Sequence, residues 1–201
     1  MAALAAVRKW REIQPGAPSE WSLAGLSGRL VELSGAEDSA ALTIAFGLVR
    51  QAQLLGEPAV WIGLEPESFF PPDVAEGGVD IEALAVVRLP TLRAVARAAD
   101  QLARSGAFGL LVLDVGPGSL PTAAQSRLLG LAGKHGSTIL FLTDKPERSP
   151  SLGSLVSLRG QARRNQSDKD EFLCELKILK DKRRAPGWTH VEVCGGPAGL
   201  H

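Results

Sequence analysis

The chain has 201 residues, 45% of them hydrophobic and 22% charged, which suits a globular domain with room for a full core. Its 22 basic and 22 acidic side chains cancel, which argues against DNA binding by bulk electrostatics and leaves only weak or indirect contact through a local basic patch. No apolar run has the length of a membrane span, and the first residues lack a signal-peptide pattern. We therefore expect a cytoplasmic protein that makes no membrane contact.

The first 20 residues predict a short helix and a linker. Apolar residues recur on one helical face over residues 2–13, and residues 14–20 contain Pro15, Gly16 and Pro18. Trp10 lies on the apolar face and is a candidate anchor for a partner, because aromatic side chains dominate many interfaces. The alternative is that this helix folds back on its own core.

Strands and helices then alternate along the chain. For the helix predicted at residues 92–105, Thr91 is a good N-cap and Gly106 is a natural C-cap. Such alternation predicts a mostly parallel sheet with helices on both faces. The predicted strands are residues 28–34, 59–63, 85–89, 108–114 and 137–143, and the predicted helices are residues 40–55, 92–105 and 121–133.

The pattern changes after residue 150. Residues 155–164 and 172–180 predict two strands joined by a polar turn at 165–170, and residues 190–194 predict a third. These strands are expected to form an antiparallel extension, with Cys174 and Cys194 as small buried side chains on neighbouring strands. The fold class is therefore α/β, with a core at residues 21–194 and a flexible tail at 195–201. The cysteines lack zinc-ligand spacing, so no metal site is expected.

Gly35 opens a strand–turn–helix unit of the kind that binds phosphate. Such a loop carries a second glycine, a lysine and a hydroxyl side chain at fixed spacing. Ala40, Ala41 and Leu42 occupy these three positions, and residues 37–38 add two acidic side chains. We therefore expect no nucleotide cofactor, no catalytic residue and no ATP hydrolysis. The simpler interpretation of the segment is an ordinary strand-to-helix turn.

Several segments, in their order and spacing over roughly residues 28–186, resemble the bacterial RecA family. They are GRLVELSGAEDSAALT, AVWIGLEPE, GVDIEALAVVRLPTLRAVARAADQLARSGAFGLLVLDVG, TILFLTDK and ELKILKDKRRAPG. The resemblance implies a RecA-like core in which Glu65 falls on the catalytic glutamate and Asp114 ends the Walker B strand. Asp144 lies in the pair that senses the γ-phosphate, and Lys180 and Lys182 fall on lysines that reach a neighbouring subunit's ATP.

The three acidic positions are expected to be vestigial, because the chain lacks a grip on phosphate. The simpler alternative is that Asp114 caps a strand end and that Glu65 lies on a solvated rim. Both DNA-binding loops of the RecA family are shorter here, at residues 116–120 and 145–153.

Among RecA-like proteins, the chain most resembles the ImuA family, on its size and its altered phosphate loop. That resemblance implies a non-catalytic adaptor in SOS-induced translesion synthesis and mutagenesis. The partners implied are an ImuB-type inactive polymerase, RecA and an error-prone replicative-type polymerase. The alternatives are a SulA-like inhibitor that binds the tubulin-like division protein, and a degenerate ATPase that still turns over slowly.

A basic stretch, KILKDKRR, follows the second predicted C-terminal strand. Such a run is either a solvated strand end or a binding surface. Upstream arginines, Arg159, Arg163 and Arg164, are expected to join it into one basic edge. The candidate partner-binding residues are Lys180, Lys182, Arg183, Arg184, Trp10 and Trp188.

Overall fold

The computed structural model describes residues 20–36, 39–65, 74–75, 77–168 and 171–195. The helix predicted for residues 2–13, Trp10, and the tail beyond residue 195 lie outside the described residues. The named helices are α1 (Leu23–Leu26), α2 (Ala41–Leu54), α3 (Leu92–Ser105) and α4 (Thr122–His135). The strands are β1 (Leu30–Gly35), β2 (Ala59–Leu64), β3 (Leu84–Leu89), β4 (Leu110–Gly116), β5 (Thr138–Asp144), β6 (Leu158–Asp168), β7 (Glu171–Asp181) and β8 (Thr189–Gly195).

All eight strands form one sheet in the order β3-β2-β4-β5-β1-β6-β7-β8. The strands from β3 to β6 in this order pair in parallel, and β7 and β8 add two antiparallel pairings. The predicted α/β class and the predicted antiparallel extension are therefore confirmed. Helix α1 was not predicted; it is a single turn in which the Ser22 hydroxyl accepts a hydrogen bond from Gly25 N at 3.2 Å.

Helices cover both faces of the parallel sheet. On one face α2 packs over a core that includes Ile44 and Val49, and the rings of Phe46 and Trp61 stack with centroids 4.5 Å apart. On the other face α3 and α4 cover a second core that includes Leu128 and Phe141. Because β4 and β5 are buried on both faces, their sequences are nearly continuous apolar runs.

The predicted ends of α3 are confirmed. The Thr91 hydroxyl accepts a hydrogen bond from Ala94 N at 3.2 Å, which satisfies one of the free amides of the first turn. Gly106 follows the last turn with φ at 69°, a left-handed conformation that favours glycine. No helix in the described ranges is both long enough and apolar enough to cross a membrane.

The hairpin of β6 and β7 is longer than predicted. The predicted polar turn at residues 165–170 begins too early, because Asn165 pairs with Leu173 and Gln166 pairs with Phe172 in the antiparallel ladder. Polar side chains are compatible with this part of the ladder because the pairing uses backbone groups only. The two predicted cysteine positions do lie on neighbouring strands, and the side chain of Cys174 is buried.

Candidate functional site

The acidic positions implied by the RecA resemblance lie along one edge of the sheet. Gly35 ends β1 and pairs with Asp144, which ends β5. Asp114 lies near the end of β4, and Glu65 immediately follows β2. These four strands are adjacent in the order β2-β4-β5-β1, so their carboxyl ends meet at one edge. Glu65 and Asp144 are exposed and Asp114 is half-buried.

The turn after β1 is held tightly against the sheet. The carbonyl oxygen of Gly35 accepts a hydrogen bond from Lys145 N at 3.1 Å, and the Ser39 hydroxyl accepts one from Ala41 N at 3.3 Å. A Cβ atom at Gly35 would lie only 1.9 Å from Ser39 Oγ, so any larger residue at this position would force the Ser39 side chain or the turn to move. The two acidic residues 37–38 lie outside the described part of the chain.

The three altered positions of the phosphate loop face the core. Ala40 is buried, and the half-buried Ala41 and Leu42 pack against the core beneath α2. In the RecA pattern these positions carry a glycine, a phosphate-binding lysine and a magnesium-binding hydroxyl. Here they contribute apolar surface to the first turn of a helix. In the described ranges no cluster of three or more His, Cys, Asp or Glu side chains lies close enough to hold a metal ion.

A buried carboxylate, Glu32, lies in the middle of β1. Its two oxygens accept hydrogen bonds from Thr143 Oγ1 at 3.2 Å, Ser151 Oγ at 2.8 Å and the backbone amide of Leu152 at 2.8 Å. Lys145 Nζ lies 3.4 Å from Glu32 Oε1. The carboxylate therefore fastens the connection between β5 and β6, residues 145–157, to the centre of the sheet.

Arg159 on β6 is also buried and completes this arrangement. Its Nε donates to Ser34 Oγ at 3.1 Å, and its Nη2 donates to the carbonyl oxygen of Pro146 at 3.1 Å. The remaining Nη1 donates to the carbonyl oxygen of Ser149. The prediction that Arg159 joins a basic edge is therefore wrong, because its guanidinium is buried and donates hydrogen bonds to Ser34, Pro146 and Ser149 inside the fold. We call Glu32, Ser34, Lys145 and Arg159 the polar centre.

The lysine pair lies at the other end of the strands from Gly35. Asp181, between the two lysines, pairs with Leu158, which in turn pairs with Val31 near the start of β1. Lys180 Nζ donates to the carbonyl oxygen of Gly153 at 3.1 Å, and Lys182 Nζ donates to that of Ser154. Burial, followed by the charge of Lys182, lowers the pKa of Lys180 below its usual range.

A buried ion pair fixes the end of β7. Arg29 Nη2 lies 2.6 Å from Asp181 Oδ1, and both side chains are almost fully buried. Asp181 also accepts hydrogen bonds from Arg183 N at 2.9 Å and from the indole Nε1 of Trp188 at 3.4 Å. Trp188 is half-buried against the core beneath α2, so its ring contributes to packing within this chain.

The remaining candidate arginines are exposed and paired. Arg183 donates to the carbonyl oxygen of Ser27 at 3.2 Å, and Arg184 contacts Glu20. Arg163 pairs with Glu147, and the guanidinium of Arg164 lies 3.6 Å above the centre of the Phe172 ring. Binding of a partner by the lysines, these arginines or Trp188 stays a prediction.

The proteins most informative about this chain are RecA proteins, and their similarity agrees with the α/β fold described above. No family model matches the chain. The RecA protein of Mycolicibacterium vanbaalenii is 32% identical over 198 residues, covering 79% of this chain and 56% of that protein. The RecA proteins of Corynebacterium pseudotuberculosis and a Synechococcus species are each 30% identical, covering 79% of this chain and 53% and 52% of theirs. The α/β core of the present chain is RecA-like.

The similarity supports a place for this chain in the RecA-like superfamily, as the sequence motifs predicted. The chain spans about half the length of the curated relatives it matches.

The sequence did not indicate the polar centre of this RecA-like core. In an alternating strand Glu32 is expected to face solvent, and only the central position of β1 in the sheet shows that both of its faces are buried.

Proposed function

We propose that this RecA-like chain is a non-catalytic adaptor in SOS-induced translesion synthesis and mutagenesis. Its partners are RecA, an ImuB-type inactive polymerase, or both, and through them an error-prone replicative-type polymerase. The observation that carries the proposal is the packing of Ala40, Ala41 and Leu42 into the core at the positions where RecA binds triphosphate and magnesium.

The energetic argument rests on missing charged contacts. Each lost charge-assisted hydrogen bond to phosphate removes about 1.5–3 kcal/mol of binding free energy, and several are lost together. Without a bound triphosphate or metal ion, Glu65, Asp114 and Asp144 would have no role in ATP hydrolysis. A RecA-like fold retained under these conditions is best suited to binding other proteins.

The placement of the lysines suggests how the adaptor binds RecA. In a head-to-tail stack, Lys180 and Lys182 would face the ATP of a RecA subunit, while the altered turn at Gly35 offers no ATP to a further subunit. The chain would then occupy one end of a RecA filament. Phosphate oxygens are stronger acceptors than the carbonyl oxygens of Gly153 and Ser154, so docking would exchange one set of lysine partners for another.

The first experiment tests for nucleotide binding. Thermal unfolding of the full chain is measured with and without Mg-ATP at millimolar concentration. A ligand present at about 100 times its Kd stabilises a protein by about 2.7 kcal/mol, which is readily detected. We expect no shift, and a reproducible rise in Tm would favour a degenerate ATPase instead.

The second experiment tests the docking mode. Co-sedimentation with RecA filaments on single-stranded DNA compares the wild type, Lys180→Ala/Lys182→Ala, and the matched double variant Arg93→Ala/Arg97→Ala. We expect only the lysine variant to lose binding, and single Lys182→Ala, at an exposed position, separates docking from folding. Unchanged binding of the lysine variants overturns the docking mode.

A pull-down against the candidate partners tests the adaptor role itself. Retention of RecA or of the ImuB-type polymerase supports it. Retention of the tubulin-like division protein alone would favour the SulA-like alternative.

A further inference from the structure

The helix layer formed by α3 and α4 concentrates positive charge. The two helices carry five Arg or Lys side chains and one acidic side chain, Asp100, although the whole chain has no net formal charge. We call these basic residues the arginine face: Arg93, Arg97, Arg104, Arg127 and Lys134. All five are exposed. The distribution of charge over the surface is therefore strongly uneven.

The spacing of the arginines aligns them along one side of α3. Arg97 and Arg104 follow Arg93 by four and eleven residues, close to one and three helical turns. At 1.5 Å per residue they span about 16 Å along the axis. This spacing gives a line of guanidinium groups.

Asp100 ties the second helix to this line. Its two carboxylate oxygens lie 2.7 Å from Arg104 Nη2 and 3.2 Å from Arg127 Nε, so Arg127 of α4 lies beside α3. The hydrogen bond from Arg104 and then the one from Arg127 lower the pKa of Asp100, against the effect of burial. One carboxylate serves two guanidinium groups here, so a surplus of positive charge remains.

The exposed surface of α4 beside these cations carries small and polar residues. Ser126, Gly130 and Gly133 are exposed on α4, and the space beyond the two glycines is open. In the described part of the chain, the large exposed apolar side chains lie elsewhere, at Leu54, Leu55, Ile81, Val86 and Val191. Protein interfaces depend on buried aromatic or apolar anchors. The leucines at the surface of this layer, Leu92, Leu102, Leu129 and Leu131, are half-buried against the core, so the layer offers no large exposed anchor.

Helices α3 and α4 also contain no Phe, Trp or Tyr. Proteins that bind single strands stack the bases on aromatic rings, so a single strand is a poor fit for this surface. A duplex presents its charges on the outside, at one negative charge per about 1.7 Å of helix axis, and requires only cations and a close approach.

We propose that the arginine face binds the phosphodiester backbone of duplex DNA without contacting the bases. It is separate from the lysine pair on β7, and it requires neither RecA nor a nucleotide. Arg93 and Arg97 supply charges that Asp100 does not neutralise, while Arg104 and Arg127 extend the track across both helices.

Fluorescence anisotropy of a labelled duplex of about 20 base pairs tests the proposal, using the full chain over about 50–200 mM salt. The five cations less one carboxylate leave four charges, and four neutralised phosphates give a slope of log K against log salt of about −3.6. We expect Arg93→Ala/Arg97→Ala to weaken binding at least ~10-fold at low salt and to reduce that slope by about 2. Asp100→Asn is expected to strengthen binding, because it removes the one carboxylate in the track.

The matched control is Lys180→Ala/Lys182→Ala, which removes the same number of charges from the other basic site and is expected to keep duplex affinity. Arg93→Lys/Arg97→Lys keeps the charges and is also expected to keep most of the binding. Lys134→Glu gives a second, independent loss at the far end of α4. Circular dichroism of each variant verifies the fold.

Three outcomes overturn the proposal. They are wild-type affinity in the Arg93→Ala/Arg97→Ala variant, loss of binding in the lysine variant alone, and tighter binding of a single-stranded oligothymidine than of the duplex. A fourth outcome, displacement of the duplex by polyglutamate at equal charge concentration, would also overturn the proposal and would assign the surface to an acidic protein. None of these outcomes affects the RecA co-sedimentation result, so the two proposals can fail separately.

Discussion

Glu32 and Arg159 lie side by side beneath the connection between β5 and β6. Glu32 Oε1 is 4.0 Å from Arg159 Nε, and both side chains are almost fully buried. Lys145 Nζ approaches the same carboxylate oxygen at 3.4 Å. A single carboxylate thus stands between two cations in a region of low dielectric, where an uncompensated charge is expensive.

Replacement of Glu32 by alanine is therefore expected to be severely destabilising. The variant leaves Arg159 without its buried counter-ion and removes the acceptor for Ser151 and Leu152. Breaking a buried ion pair in this way lowers the free energy of unfolding by about 3–5 kcal/mol. Urea denaturation at neutral pH measures the change.

Ser151→Ala is the matched control for Glu32→Ala. It removes one hydrogen bond to the carboxylate and leaves the charges in place, so it should cost about 1 kcal/mol. Equal losses in the two variants would mean that the charge of Glu32 does not stabilise the fold.

The connection between β5 and β6 should be more ordered than its sequence suggests. The amide of Leu152 donates to Glu32 Oε2 at 2.8 Å, although Leu152 lies in an irregular segment. We expect this amide to exchange with solvent at least ~100-fold more slowly than an open-chain amide. Hydrogen exchange followed by NMR tests this, and Ser151→Ala should leave the protection largely intact. Exchange at the open-chain rate in the wild type would contradict the contact.

The contrast between β4 and β1 explains how far the sequence alone could predict this fold. The apolar run of β4 predicts a buried parallel strand directly, because neither face carries a charged residue before Asp114. Strand β1 has the same environment but contains Glu32, whose partners Thr143, Ser151 and Leu152 are more than 100 residues away. Local patterning carries no information about such distant partners.

Gly35→Ala should destabilise the turn after β1. The added Cβ would lie 1.9 Å from Ser39 Oγ and 2.6 Å from Ser39 Cβ, so one of the two residues must move. Overpacking of this kind costs about 1–3 kcal/mol. Urea denaturation of Gly35→Ala and of Gly35→Ala/Ser39→Gly checks the cause, since the second substitution removes both clashing atoms. A double variant that is no more stable than the single one would place the strain elsewhere.

The lysine pair shows a similar limit of sequence analysis. The spacing of Lys180 and Lys182 matched the RecA pattern, and the structure places them at the opposite end of the strands from Gly35. Their bonds to the carbonyl oxygens of Gly153 and Ser154 did not follow from spacing. Those bonds depend on the fold of the connection between β5 and β6. Glu32, on a different strand, holds that connection by accepting hydrogen bonds from Ser151 and Leu152.

The ion pair between Arg29 and Asp181 should make stability depend on pH. Burial alone would raise the pKa of Asp181, but hydrogen bonds from Arg183 N and Arg29, together with the charge of Arg29, lower the pKa overall. An aspartate in the unfolded chain has a pKa of about 3.9. The folded state therefore binds this proton less readily than the unfolded state.

The stability contributed by this pair is therefore complete above the unfolded pKa and is lost as the pH falls through the lower, folded pKa. Asp181→Asn cannot titrate, so its free energy of unfolding should fall less steeply than that of the wild type below about pH 5. The variant should also be less stable near neutral pH, because Arg29 then lies buried without a counter-ion. Urea denaturation at a series of pH values measures both effects, and parallel curves for the two proteins would show that Asp181 does not link folding to pH.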